Sequence, residues 1–166
     1  MLRISGIVDE SVVDGPGYRY VVFAQGCPHH CPGCHNPHTH AFEGGTSISA
    51  EELFRNVRKN PLLSGVTLSG GEPFCQAEEL AALAGMVKAA GLSVITYTGY
   101  TFEELIADFS ENPGWRSLLE NTDILVDGPF RLEEKDPLLK FRGSKNQRLI
   151  NVKESLENGE AVLVDS

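Results

Sequence analysis

Short runs of β-branched and aromatic residues alternate with capped helical segments along almost the whole chain, and that alternation leaves few folds open. Leu2–Asp9 and Tyr18–Gln25 read as strands, separated by a turn at Asp14–Gly17. Ser49 and Glu52 make a capping-box pattern that predicts a helix over 50–59. Gly65–Ser69 is a short buried strand, and the helix expected over 77–90 stops at Gly91. The pattern continues with a strand at Ser93–Tyr97, a helix capped by Thr101 and Glu104, a helical piece closing over 118–121 and a strand at Asp123–Asp127. Two further strands are expected at Gln147–Val152 and Ala161–Val164. Such alternation builds βαβ units on a largely parallel sheet. A closed eight-unit barrel takes roughly 250 residues, and this chain has 166. The expectation is an α/β fold in which residues 1–166 form a single domain, an open partial (β/α) barrel.

In parallel α/β sheets, ligands sit beyond the carboxyl ends of the strands. Four segments each follow an expected strand: a loop over 26–45, Gly70-Gly71-Glu72-Pro73, Tyr97-Thr98-Gly99 and Asp127-Gly128-Pro129. All four should meet on one rim. The loop over 26–45 carries Cys27, Cys31 and Cys34 and all five histidines, His29, His30, His35, His38 and His40. Three thiolates from one loop fall one short of a closed structural zinc site, which wants four ligands and draws them from two separated knuckles. They suit a cubane iron–sulfur cluster in which one iron is left open. Zinc with His38 or His40 as the fourth ligand is the competing reading, and it would make the protein a zinc-stabilised interaction module. The spacing favours the cluster.

Composition narrows the partners. A net charge of −9 and a pI near 5.0 argue against binding a phosphate backbone, so no nucleic-acid partner is expected. The sequence shows no signal-peptide pattern and no membrane-length apolar run, so the expected compartment is the cytoplasm. Disulfides are rare there, which again turns the clustered cysteines toward metal.

Gly70 and Gly71 would let backbone approach a ligand closely, and Glu72 would bring a carboxylate to the strand end. Taken alone, the same residues read as a plain strand-to-helix turn. Asp127 has two readings of equal weight, a ligand contact or a carboxylate that caps the chain locally. Cys75 is expected as a buried thiol, and Arg142, Lys145 and Arg148 as a solvated basic cluster.

Together these motifs resemble the radical S-adenosylmethionine superfamily: a three-cysteine loop after an early strand, then Gly-Gly-Glu-Pro further along. The narrower likeness is to glycyl-radical-enzyme activases, in the group that serves anaerobic ribonucleoside-triphosphate reductase. Asp14–Gly17, Gln25–His29, Cys31–Pro37, Tyr97–Tyr100, Leu125–Phe130, Phe141–Ser144 and Asn146–Arg148 carry it. The resemblance implies a [4Fe-4S] cluster on Cys27, Cys31 and Cys34, with S-adenosyl-L-methionine chelating the open iron. It further implies cofactor contacts from Gly33, Cys34, His35, Asn36, Gly70, Gly71, Glu72, Thr98 and Asp127, the last toward the ribose. The implied activity is reductive cleavage of the cofactor to a 5′-deoxyadenosyl radical that makes a glycyl radical on the reductase. The implied electron donor is a flavodoxin or ferredoxin. A different small enzyme of the superfamily, acting on another glycyl-radical enzyme or on a modified base, is the alternative. Larger activases carry a lysine where this chain has Pro129, so the likeness leaves the methionine carboxylate without a partner.

Overall fold

The computed structural model describes residues 1–29, 31–34 and 37–164. In chain order the elements are β1 (Leu2–Ser11), β2 (Arg19–Ala24), β3 (Thr46–Ile48), α1 (Ala50–Arg58), β4 (Gly65–Gly70), α2 (Ala77–Ala89) and β5 (Ser93–Tyr97). They continue with α3 (Phe102–Ala107), α4 (Pro113–Glu120), β6 (Ile124–Asp127), β7 (Arg148–Asn151) and α5 (Val152–Asn158). One seven-stranded sheet runs β3-β1-β2-β4-β5-β6-β7. The four central strands, β2, β4, β5 and β6, are parallel, because α1, α2 and the α3–α4 pair supply the crossovers that parallel pairing requires. The edges pair antiparallel: β1 on β2, β3 on β1 and β7 on β6. With β3 and β7 at its two ends, the sheet stays open, as the length of the chain suggested.

Period-two alternation divides the sheet into two unlike faces. Tyr20, Val22, Val66, Leu68, Val94 and Leu125 point to one side, where they join Leu53 and Val57 of α1, Leu80, Leu83 and Val87 of α2 and Leu118 and Leu119 of α4 in the main core. Each such leucine or valine, once fully buried, contributes roughly 1.5–3 kcal/mol before conformational entropy is subtracted. The opposite face carries Arg19, Thr67 and, nearer the strand ends, Phe23, Ser69 and Tyr97. Arg19 is fully buried and donates to Thr67 Oγ1 at 3.1 Å, Val66 O at 2.8 Å and Ser93 Oγ at 2.6 Å. Burial lowers its pKa to about 10, so the guanidinium stays charged at neutral pH.

Caps appear where the sequence placed them. Ser49 accepts from Glu52 N, Thr101 and Glu104 form a complete capping box, and Gly91 follows α2 with φ +83°. One element is added and two expectations change. The segment 46–48, between the cysteine loop and the first helix, forms β3 against β1. The strand expected over 147–152 ends at Asn151, whose side chain caps α5 by accepting from Glu154 N at 3.1 Å. The strand expected at Ala161–Val164 reduces to a single bridge between Ile150 and Leu163, with the Val162 N–H taken by Ser155 Oγ at 2.8 Å. Among the described residues no helix is long and apolar enough to cross a membrane.

Candidate active site

The cysteine loop leaves β2 through Gln25, and its two stems are tied at once. Gly26 N donates to Thr39 O at 2.6 Å and Cys27 N to His40 O at 3.0 Å. The Gln25 side chain, buried beneath the loop, donates to Ala41 O at 2.5 Å. Sequence reasoning gave Gln25 no role of its own; its signal was a polar residue ending a strongly apolar strand. Farther out, Cys34 N donates to Cys31 O at 3.1 Å, closing a turn over Pro32 and Gly33. Gly33 has φ +73°, a left-handed backbone that favours glycine, and a Cβ there would meet the end of the exposed Leu132 side chain 2.9 Å away.

Cys27 is buried and Cys31 and Cys34 are half-buried; among the described residues no cysteine is in a disulfide. All three thiols line one cavity of about 470 Å³ together with Ser69, Gly70, Gly71, Thr98, Gly99 and Gly128. The ends of four parallel strands therefore do meet on one rim. Burial pushes the Cys31 thiol up, against a hydrogen bond with the Phe130 backbone that pulls it down. Electrostatic interaction with Cys34 and Glu72 raises it further. Burial also holds the Tyr97 phenol well above its ordinary range, helped by Asp14, so it remains a hydrogen-bond donor.

The wall opposite the cysteines is built from main chain. Gly71 N donates to Ala24 O at 2.8 Å and Glu72 N to Gly26 O at 2.7 Å, carrying the β2–β4 ladder past the end of the sheet. A Cβ at Gly71 would lie 2.3 Å from Gly26 O, and one at Gly70 2.6 Å from Ala24 N. The glycine pair is thus dictated first by the approach of two backbones, and its exposure to the cavity follows from that.

Glu72 is turned inward. It is 1% exposed, and every donor it meets is internal. His29 Nε2 donates to Oε1 at 2.6 Å, Gly99 N to Oε1 at 2.8 Å, Phe74 N to Oε2 at 3.0 Å, and Thr98 Oγ1 lies 2.9 Å from both oxygens. The carboxylate ties the loops after β2, β4 and β5 together and is absent from the cavity wall. His29 also stacks edge-on to Tyr100, with centroids 4.6 Å apart.

Asp127 is likewise turned inward. At 1% exposure it pairs with Arg148 through Nε to Oδ1 at 3.0 Å and Nη2 to Oδ2 at 2.5 Å, and Phe102 N at the start of α3 donates to Oδ2 at 2.8 Å. Arg148 reaches on to Glu103 at 2.6 Å, so it is an ion-pair residue and no member of a solvated cluster. Its hydrogen bonds to Asp127 and Glu103 raise its pKa above the ordinary value, and its bond to Glu103 lowers that carboxyl. Cys75 is also corrected: it is exposed, on the short turn over Pro73–Gln76. Neighbouring protein still desolvates the thiol and, with the charges of Glu72 and Cys27, pushes it up to about 11. His35 and Asn36 lie outside the described residues.

The donor set fits an iron–sulfur cluster. Three soft thiols share one cavity whose size is ordinary for a cofactor site. Among the described residues, no three His, Cys, Asp or Glu side chains converge on a single-ion site.

Fold and site together define a single-cluster iron–sulfur enzyme, and residues 13–150 match the 4Fe-4S single cluster domain. The zinc reading falls with that match. An anaerobic ribonucleoside-triphosphate reductase-activating protein of Salmonella typhimurium is 33% identical over 82% of this chain and 90% of its own length. The protein of that name from Vibrio cholerae is 36% identical over 82% and 89%. A pyruvate formate-lyase-activating enzyme of Clostridium pasteurianum is 41% identical over 76% of this chain, but over only 51% of its own. The chain belongs to the family of the anaerobic ribonucleoside-triphosphate reductase-activating proteins. Its cofactors are a [4Fe-4S] cluster and S-adenosyl-L-methionine.

Proposed function

We propose that the chain is the activase of an anaerobic ribonucleoside-triphosphate reductase, on which it generates a glycyl radical. The observation that carries this reading is the shared cavity: three cysteine thiols and the Gly70–Gly71 backbone line one space at the open rim of the sheet. Cys27, Cys31 and Cys34 would hold the cluster, and Gly70, Gly71 and Thr98 would bound the S-adenosyl-L-methionine site, with Gly33, His35 and Asn36 on the cysteine side. When bound, the reduced cluster supplies one electron to the sulfonium of S-adenosyl-L-methionine, whose cleavage provides the hydrogen-abstracting carbon radical.

The chain's own residues do the rest. Glu72, through His29, Thr98 and Gly99, fixes three rim loops against one another. Gln25 clamps the loop stem, so the thiols stay on the cavity wall. The open sheet leaves room at its rim for a polypeptide loop, and we propose that the reductase's glycine segment enters there. A flavodoxin or ferredoxin would supply the electron. The whole would act as a single domain in the reducing cytoplasm, where thiols persist.

Electron paramagnetic resonance tests the reading. The reconstituted protein, S-adenosyl-L-methionine, reductant and candidate reductase, mixed without oxygen, should give a glycyl-radical doublet. Full cofactor cleavage with no protein radical would refute it. The likeness to the Clostridium enzyme favours a second reading, activation of a formate-lyase-type enzyme. Including that substrate in the same experiment separates the two.

A further inference from the structure

The proposed cofactor has an α-carboxylate, which a cation in the site would match. The wall of the cavity contains one. Arg142 lines it alongside the cysteines, Gly70 and Gly71. Its Nε is buried and has no hydrogen-bond partner among the described residues. Arg142 also takes part in none of the ion pairs found among those residues, whereas the nearby Arg131 and Arg148 both do.

An orphaned guanidinium nitrogen inside a cavity is costly unless an acceptor arrives. The fold goes to some length to hold it there. Phe141, the preceding residue, has φ +62° and is the one non-glycine among the described residues with positive φ. The Tyr97 hydroxyl grips the Phe141 carbonyl, and Gln147 Oε1 accepts from Gly143 N at 2.9 Å and Ser144 N at 3.2 Å. Gln147 Nε2 in turn donates to Gly128 O at 3.0 Å, tying this segment to the end of β6. Among the described residues Asp14 is the one carboxylate on the same wall, and it accepts from Ser11 Oγ at 2.6 Å.

We infer that Arg142 is the residue that binds the α-carboxylate of S-adenosyl-L-methionine. This rests on the cofactor reading above. The planar guanidinium fork matches a carboxylate with two parallel N–H donors, which a lysine cannot do.

The test compares equilibrium binding of two probes, S-adenosyl-L-methionine and its decarboxylated analogue, to anaerobically reconstituted protein of matched cluster content. Arg142→Gln should weaken binding of the intact cofactor by about 10- to 100-fold, the range of a charge-assisted hydrogen bond. Binding of the decarboxylated analogue should change by less than about twofold, since the arginine loses nothing with it. Arg142→Lys keeps the charge and should fall between wild type and Arg142→Gln for the intact cofactor alone. It gives the same discrimination should the glutamine variant fail to hold its cluster. Equal weakening of both probes, or unchanged binding of the intact cofactor, overturns the assignment. Wild-type protein that binds neither probe refutes the cofactor reading itself, and the assignment falls with it, an outcome distinct from loss of discrimination alone.

Discussion

Two carboxylates end parallel strands on the same rim, are 1% exposed, and are satisfied in opposite ways. Glu72, just past β4, gathers donors from three loops, and none of them is a lysine or arginine. Asp127, at the end of β6, is matched by a guanidinium in two-pronged geometry. A set of hydrogen bonds contributed by several loops binds those loops to one another. An ion pair instead fastens one strand to its neighbour, here β6 to β7. The half of the rim beside the cysteine loop is thus organised by Glu72, while Asp127 secures the sheet edge.

The comparison can be broken most sharply at Asp127. Asp127→Ala leaves Arg148 half-buried beside only Glu103 and removes an acceptor from α3, so it should destabilise the fold by about 3–5 kcal/mol. Urea unfolding of the cluster-free protein measures it, and a loss under about 1 kcal/mol would mean the pair is ornamental. Glu72→Gln comes next, at about 2 kcal/mol, because the amide keeps one acceptor while presenting donors to donors. Its distinguishing signature is local: hydrogen exchange at the Gly99 amide should accelerate together with exchange in the cysteine loop, and bound iron should be lost more readily. Exchange confined to Gly99 would show that the loops are not joined through this carboxylate.

His29→Phe tests a single contributor and should remove about 1.5 kcal/mol, the low end for one hydrogen bond to a charged group. An effect as large as that of Asp127→Ala would erase the contrast. The smallest effect belongs to Glu103, whose side chain is 57% exposed: Glu103→Gln should cost about 0.5 kcal/mol. The sign with pH is fixed. Arg148 holds the Glu103 carboxyl below its ordinary 4.5, so the contribution is complete above that value and fades as pH falls through the lowered one. Chemical unfolding of wild type and variant at a series of pH values should therefore converge on acidification. A difference that grows instead would assign the effect elsewhere.

Much of the frame could be read from residue order. Apolar runs ending in Cys27, Gly70, Tyr97 and Asp127 told that these positions would share a rim, because parallel strands all end on the same side. The helix caps at Ser49 and Thr101 were equally local. α5 was legible too, from Asn151, Glu154 and Gly159 in capping positions, but β-branched residues around it suggested strands. What the order of residues does not carry is how a buried charge is answered. Glu72 meets His29 and Thr98, which lie 43 and 26 positions away, and Asp127 meets Arg148 across 21. Both carboxylates looked available to a ligand for that reason. Arg142 looked solvated by the same default, and its unmatched nitrogen emerges only when the cavity wall is assembled.

The backbone bonds from Gly71 to Ala24 and from Glu72 to Gly26 have one more consequence. They make the spacing between the cysteine loop and the glycine wall a property of peptide geometry, whose bond lengths and strand separation scarcely vary. Side chains around the cavity can drift over evolutionary time or breathe thermally without altering that spacing. The gap works like a gauge block: sequence change can re-dress its surfaces, but only an insertion or deletion in the strands can reset its width.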